Sequence, residues 1–348
     1  MHMADALLSP TVGGTMWAVS AGTIAYCSRK VRRELDDRKV PLMGVLGAFL
    51  FAAQMINFTI PGTGSSGHLG GGLLLAILLG PYAAFLTISS VLFVQALFFA
   101  DGGLLALGCN IFNMGFIPAF IVYPLVYKRL IGREPGRGRL MAVTILAAVI
   151  GLQLGPFSVV LETVCSRISS LPFTTFLMLM QPIHLAIGLV EGGVTATVVS
   201  FVYRARPEIL RGALESRPIG ALPVRNLLLA FLAAALVTGG AVSWYASTKP
   251  DGLEWAVAKV TGRTEPAGSR DGVHGALAAL QKVTALLPDY GFRKTGGPAG
   301  SAARAVTDPQ KGRGDRLGTS VSGILGGLLT LALAVLVGFV LKRRNQPA

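Results

Sequence analysis

Four histidines occur in this chain of 348 residues, at positions 2, 68, 184 and 274. The first sits where its chemistry differs from that of an ordinary histidine. An initiator methionine is normally removed only before a small residue, and histidine is not small, so Met1 is expected to stay. The chain then begins with a free amine, the amide nitrogen of His2 and the His2 imidazole. Wrapped around one cation, these three nitrogens close small fused chelate rings. A metal that displaces the amide proton gains a planar, all-nitrogen grip, which Cu(II) and Ni(II) favour and low-spin Co(II) accepts. One more nitrogen would complete the square.

His68 can supply it. It closes the stretch Pro61-Gly62-Thr63-Gly64-Ser65-Ser66-Gly67-His68, whose glycines and serines let the backbone fold inward toward a buried site. The same two residues also fit a free terminus and a loop histidine bonded to its neighbours, and spacing alone does not separate the readings. Other polar groups stand in apolar surroundings. Asp5, Gln54, Asn57, Asn110 and Asn113 are candidates to orient an imidazole or hold the terminal amine, or they are contacts between helices. Gln54 and Asn57, like Asn110 and Asn113, are three apart and are expected to share a helix face. His184 and Glu191, seven apart, project from nearly one face and read as a structural pair or a coupling contact, with Glu191 toward the cytoplasmic half and far from His2. His274 reads as a solvated residue of an outer segment. Cys27, Cys109 and Cys165 form no CxxC pair and read as buried thiols.

The elements that position these residues are membrane helices. Hydrophobic residues make up 52% of the chain and charged ones 14%, and the mean hydropathy is +0.61. A soluble core does not need that much apolar surface. A bilayer needs about 20 apolar residues per crossing. The stretches 8–27, 41–60, 81–100, 104–127, 140–161, 182–203, 227–246 and 321–341 meet that length, and 69–80 is a shorter piece. Basic clusters at 29–39, 128–139, 204–225 and 342–344 mark cytoplasmic loops, which leaves the N-terminus outside. Counting 69–80 as a short crossing reconciles every cluster. The expected fold is an all-α polytopic transmembrane bundle: a seven-helix module at 1–203, a cytoplasmic linker at 204–224, and a two-helix module at 225–348 with a long extracytoplasmic segment at 248–317. Gly, Ala, Pro and basic residues crowd 295–315, which reads as flexible. In the first helix, Ala18/Gly22 and Ala21/Ala25 are small-xxx-small pairs that let another helix approach closely.

The net charge of +14 lies mostly in loops beside helices, where topology and lipid headgroups account for it, so nucleic acid is not an expected partner. The chain has no GxxxxGK[ST] loop to hydrolyse ATP, and no HExxH pair. A four-nitrogen square leaves no position for an activated water, which disfavours a metalloenzyme and any catalytic cofactor. An ion-coupled carrier would need acidic groups near the midplane, and Glu191 is the main candidate.

Several stretches in order carry a resemblance. Met1-His2-Met3-Ala4-Asp5-Ala6-Leu7-Leu8-Ser9-Pro10, residues 51–58 leading to Ser66-Gly67-His68-Leu69, residues 110–115 and residues 184–192 are similar to the CbiM/NikM family. The stretch Pro250-Asp251-Gly252-Leu253-Glu254-Trp255-Ala256 resembles the small CbiN/NikN partner, fused behind the linker. The resemblance implies a multi-pass protein of the cell membrane, the substrate-specific component of an energy-coupling-factor transporter for nickel or cobalt. It implies that the Met1 amine, the His2 amide and imidazole nitrogens and the His68 imidazole hold the transported ion. It also implies partner ATPases like CbiO/NikO and a membrane coupling subunit like CbiQ/NikQ, which would dock on the small-residue face of helix one if that face does not pack within its own bundle. Ala6 stands where the family usually has Gly, and Met3 where Ile is common. Nickel and cobalt suit such a square equally, and copper binds it more tightly still.

Overall fold

The structure is a computed structural model and describes residues 2–32, 35–220, 223–264, 266, 271–292 and 313–343. Met1 lies outside them, as does nearly all of the 295–315 stretch expected to be flexible. The chain is a multi-pass helical membrane protein. Among the described residues, five helices are long and apolar enough to cross a membrane. They are α4 (Pro81–Phe99), α5 (Leu107–Ile131), α6 (Arg137–Ser166), α7 (Phe173–Ala205) and α12 (Arg313–Arg343), the last apolar from Arg316. Helix α1 (Pro10–Val31) is also long, while α2 (Lys39–Gln54) and α9 (Arg225–Gly240) are shorter apolar helices.

Helix α3 (Gly72–Leu79) is the short apolar piece. Its eight residues rise about 12 Å, well under a bilayer core. Every one of them is buried. Such a short helix meets no lipid, because neighbouring helices sheathe its ends. Helix α5 is π-wound from Phe112 to Tyr127 around Pro118 and Pro124, which lack the N–H that an α-helix would use.

Three sequence expectations change. First, the second apolar stretch does not run helically to residue 60. α2 stops at Gln54, and Phe58–Ile60 (β1) pairs antiparallel with Ser65–Gly67 (β2), so the fold carries one small hairpin. Gly62 and Gly64 turn it with φ of 76° and 79°, which side chains disfavour. Asn57 therefore leaves the helix that Gln54 ends, and the two share no helix face. Instead the Asn57 carbonyl accepts the Ser247 N–H at 2.7 Å. Second, the 204–224 linker contains a helix, α8 (Pro207–Glu215), which buries Ile209, Leu210 and Ala213. Third, Cys165 is exposed, because it faces outward from α6, whereas Cys27 and Cys109 are buried as expected.

The second module packs on the first. α12 lies along α2, where a Cβ on Gly44 would meet the Val335 side chain and one on Gly326 would meet the Phe51 ring. α9 and α12 cross at Gly239 and Gly323, backbone to backbone, where any larger residue would clash. Between them in sequence the chain forms α10 (Gly252–Thr261) and α11 (Gly272–Thr284).

Candidate metal site

The chain's start is folded into the bundle. Met3 is fully buried. Its N–H donates to Asn110 Oδ1 at 2.8 Å, and its carbonyl accepts from Gly103 N at 2.9 Å and Asn110 Nδ2 at 3.3 Å. Asp5 Oδ1 accepts from Ala106 N at 2.9 Å. Residues Asp5–Leu7 make a single 3-10 turn, and Ser9 then caps α1 ahead of Pro10. Ala6 lies in that turn without a positive φ, so a glycine is not required there. Asn113 donates to Glu162 Oε2 at 2.8 Å and lies against the Met3 sulfur. Asp5, Asn110 and Asn113 thus hold the terminal segment rather than an imidazole.

His2 and His68 meet. Their rings stack, with centroids 5.0 Å apart and planes 12° from parallel. A chain of amides sets the His2 tautomer. The Gly70 carbonyl can only accept, so Gln54 must present its Nε2 there, at 2.9 Å. Gln54 Oε1 then accepts from Gln95 Nε2 at 2.9 Å, which leaves Gln95 Oε1 facing His2 Nε2 at 3.2 Å. His2 Nε2 therefore carries the proton, and Nδ1 keeps the lone pair. Nδ1 is the ring nitrogen that closes a six-membered chelate with the His2 amide, and a neighbour that fixes the tautomer raises its basicity. In His68, Nδ1 donates to the Leu69 carbonyl at 3.1 Å, so Nε2 holds the lone pair of the neutral ring.

Each lone pair faces a carboxylate. His2 Nδ1 is 3.2 Å from Asp101 Oδ1, and His68 Nε2 is 3.8 Å from Asp251 Oδ2. Burial lowers the His2 pKa to about 4, against the opposing pull of Asp101, so the ring is neutral at neutral pH. Burial also works against ionisation of Asp101, but His2, the Tyr290 hydroxyl that donates to it and His68 bring it below the ordinary carboxylate range. Asp251 is likewise penalised by burial yet held well below that range, with His68 among the groups that lower it. A lone pair and a carboxylate oxygen at these separations repel unless a proton or a cation stands between them. Two imidazoles and two carboxylates face a cavity of about 120 Å³, which His2, His68, Asp101, Asp251 and Asn57 help to line. Its charge balance suits a divalent cation.

The second module contributes to this site directly. Ser66 N donates to the Pro250 carbonyl at 2.8 Å, and Trp255 Nε1 to the Thr63 carbonyl at 3.0 Å. Asp251 and Glu254 form a capping box that starts α10 with its acidic end beside His68. His274 is half-buried and donates Nε2 to the Leu8 carbonyl at 2.8 Å, so it is not a solvated residue. Helix α11 covers the N-terminal segment, and Gln281 fastens it to the Ala96 and Gly102 carbonyls at 2.8 Å.

Glu191 is also not remote from the site. Its carboxylate accepts Gly70 N at 2.7 Å and Gly71 N at 3.0 Å, two and three residues past His68. The helix α7 runs close beside the folded-in loop, and the loop brings its backbone donors down to meet it. His184 does not pair with Glu191. Its Nδ1 donates to the Met180 carbonyl at 2.7 Å. The small residues Ala18, Ala21, Gly22 and Ala25 all lie exposed on α1, so packing within the bundle does not use them.

Gln95, Asp101, Asp251 and Tyr290 escaped the sequence reading. Each is far in sequence from His2. The only signals were a glutamine within an apolar stretch and an aspartate inside the motif at 250–256. Replacing Gln95 with Leu is expected to weaken nickel binding about 10–100-fold, the range for groups that orient ligands, while the protein stays folded. Calorimetric titration checks this, and unchanged affinity would remove Gln95 from the site.

Comparisons with known proteins show the family. The family CbiM, described as the cobalt uptake substrate-specific transmembrane region, matches residues 2–209, and the PDGLE domain matches residues 225–343. A chain of Archaeoglobus fulgidus, provisionally named a fused nickel transport protein NikMN, is 32% identical over the whole of both chains. The fused nickel transport protein NikMN of Rhodobacter capsulatus is 31% identical, covering 83% of this chain and 88% of that one. A crystal structure of a truncated transition metal transporter is similar over 59% of this chain and 99% of that one, with 29% identity and a TM-score of 0.52.

Proposed function

The chain belongs to the CbiM family of cobalt-uptake substrate-specific transmembrane proteins, and on that premise we propose that it captures Ni(II) or Co(II) from the outside. The Met1 amine, the His2 amide and imidazole nitrogens and the His68 imidazole form the square around the ion. At the coarser level the chain is a nickel or cobalt transport component of the CbiM/NikM type, and its relatives are metal transport proteins rather than enzymes. The observation that carries the reading is the pair of stacked imidazoles whose lone-pair nitrogens face two ionised carboxylates. Asp101 and Asp251 then have two tasks. They attract the hydrated cation, and they offset its charge once it is bound.

Energy comes from partner ATPases of an energy-coupling-factor system, through a membrane coupling subunit that docks on the small-residue face of α1. Nine crossings place the N-terminus outside and the C-terminus inside, with α3 as the sheathed short crossing. The division into a metal-binding module at 1–203, a linker at 204–224 and a fused module at 225–348 follows the same logic. Glu191, the acid a self-sufficient carrier would cycle, is committed to the backbone donors of residues 70 and 71, which favours the partner-dependent reading. Uptake of radioactive nickel should require co-expressed ATPase and coupling subunits; uptake by this chain alone under an ion gradient would sink the proposal. Gly22→Leu should reduce co-purification of the coupling subunit while nickel affinity stays within about twofold, since only the approach of a neighbouring helix is blocked.

Binding is expected to weaken in acid. The amide gives up a proton at every pH, and the amine, with an ordinary pKa of about 7.7–8.0, gives up another below that range. His2 adds a proton competitor only near pH 4, because burial has lowered its pKa to about that value. At pH 6 each ion should release at least two protons, falling toward about one from these groups above pH 9. Calorimetry in buffers of different ionisation enthalpy counts the protons, and release of no proton above pH 9 would exclude the amide chelate.

A further inference from the structure

His184 is buried at 1% exposure and lines a smaller cavity that shares His68 and Asp251 with the larger one. Its Nδ1 must donate to the Met180 carbonyl, so its Nε2 holds the lone pair of the neutral ring. That Nε2 has no hydrogen-bond partner among the described residues. It borders a second cavity of about 10 Å³, shared with His68, Asp251 and Gly252, with room for one small sphere such as a water molecule. Gly252 keeps that room, since a Cβ there would come within 3.0 Å of the His184 ring and 3.2 Å of Ile183 and Ile187. An imidazole whose far nitrogen is pinned to a carbonyl is the usual form of a metal-ligating histidine. A buried nitrogen left without a partner costs free energy unless something occupies the cavity.

Chelation by the chain's start has a slow step, because the His2 amide must lose its proton before its nitrogen can bind. An arriving ion needs anchoring donors that are ready at once, and a staging position has to be weak enough to release it. Imidazole nitrogens with one carboxylate supply donors of that kind. We propose that His184 Nε2, His68 and the Asp251 carboxylate form an accessory position for a divalent transition-metal cation, where the ion rests beside His68 before the N-terminal chelate closes. Among the described residues, no three His, Cys, Asp or Glu side chains are gathered into a finished ligand set. A passing position completed by water is consistent with that, and a permanent second site is not. The inference rests on the reading that His2 and His68 are the principal site.

The test blocks the chelate first. In a full-length His2→Ala protein, His184→Cys should give a near-ultraviolet thiolate-to-cobalt absorption on addition of Co(II), and Leu185→Cys, whose parent side chain is 45% exposed one residue away, should give none. A second measurement keeps His2 intact. Stopped-flow loading with Ni(II) should slow at least about fivefold in His184→Gln, while equilibrium affinity changes by no more than about twofold. Absence of the cobalt band together with unchanged loading would overturn the accessory position and leave only a trapped water there. If the protein with His2 intact shows no His2-dependent tight binding, the principal site fails instead, and the cobalt band still decides the accessory one.

Discussion

Residues added ahead of Met1 are expected to abolish tight nickel binding, by about a thousandfold or roughly 4 kcal/mol. The extension turns the terminal amine into an amide. An amine offers its lone pair directly, whereas a second amide must first lose a proton of its own, so the square loses a ready corner and the chelate loses its register. The structure adds a spatial reason. His2 is followed at once by Met3, which is fully buried and clamped by Asn110 and Gly103. The segment therefore cannot slide outward to make room for extra residues without breaking those bonds. Titration of an extended protein, then of the same protein after a protease restores Met1 as the first residue, checks this. Recovery after cleavage is expected, and nanomolar binding by the uncleaved chain would falsify the site.

The second large effect is expected at His68. His68→Ala removes the fourth nitrogen and should weaken binding at least about a hundredfold, close to 3 kcal/mol. The fold should survive. The His68 ring bonds its neighbour Leu69, stacks on His2 and faces Asp251, while the loop itself is held by Glu191 on Gly70 and Gly71 and by Ser66 on Pro250. Added free imidazole should restore part of the affinity by filling the vacated corner, which a mere loss of folding would not allow. Equilibrium dialysis with and without imidazole measures both. Unchanged affinity in the variant would remove His68 from the ligand set.

His2 and His68 could be read from the chain because their chemistry is local: a histidine in second place carries its chelate in three consecutive nitrogens, and a glycine-rich loop can deliver one more. The long helices were equally legible, since about 20 apolar residues in a row have one stable use. Asn57 was misplaced because an apolar run does not show where a helix stops and a strand begins. In this fold Asn57 is drawn out of α2 by its bond to Ser247, some 190 positions along the chain. Glu191 looked remote because helix position was counted along one axis, whereas the loop after His68 descends to reach it.

The amino-acid sequence by itself determined the membrane class and the order of the long helices, and it offered the donor atoms proposed at the chain's start. Only tertiary structure decided what surrounds those atoms. Gln95 sets the His2 tautomer from near the C-terminal end of α4, Asp101 and Tyr290 approach from two different segments, and Asp251 arrives from the second module. Hydrophobic patterning specifies which face of a helix is buried. It carries no information about which buried polar group will find which partner, because that pairing is fixed by the desolvation cost of leaving any of them unmatched once all the helices have packed.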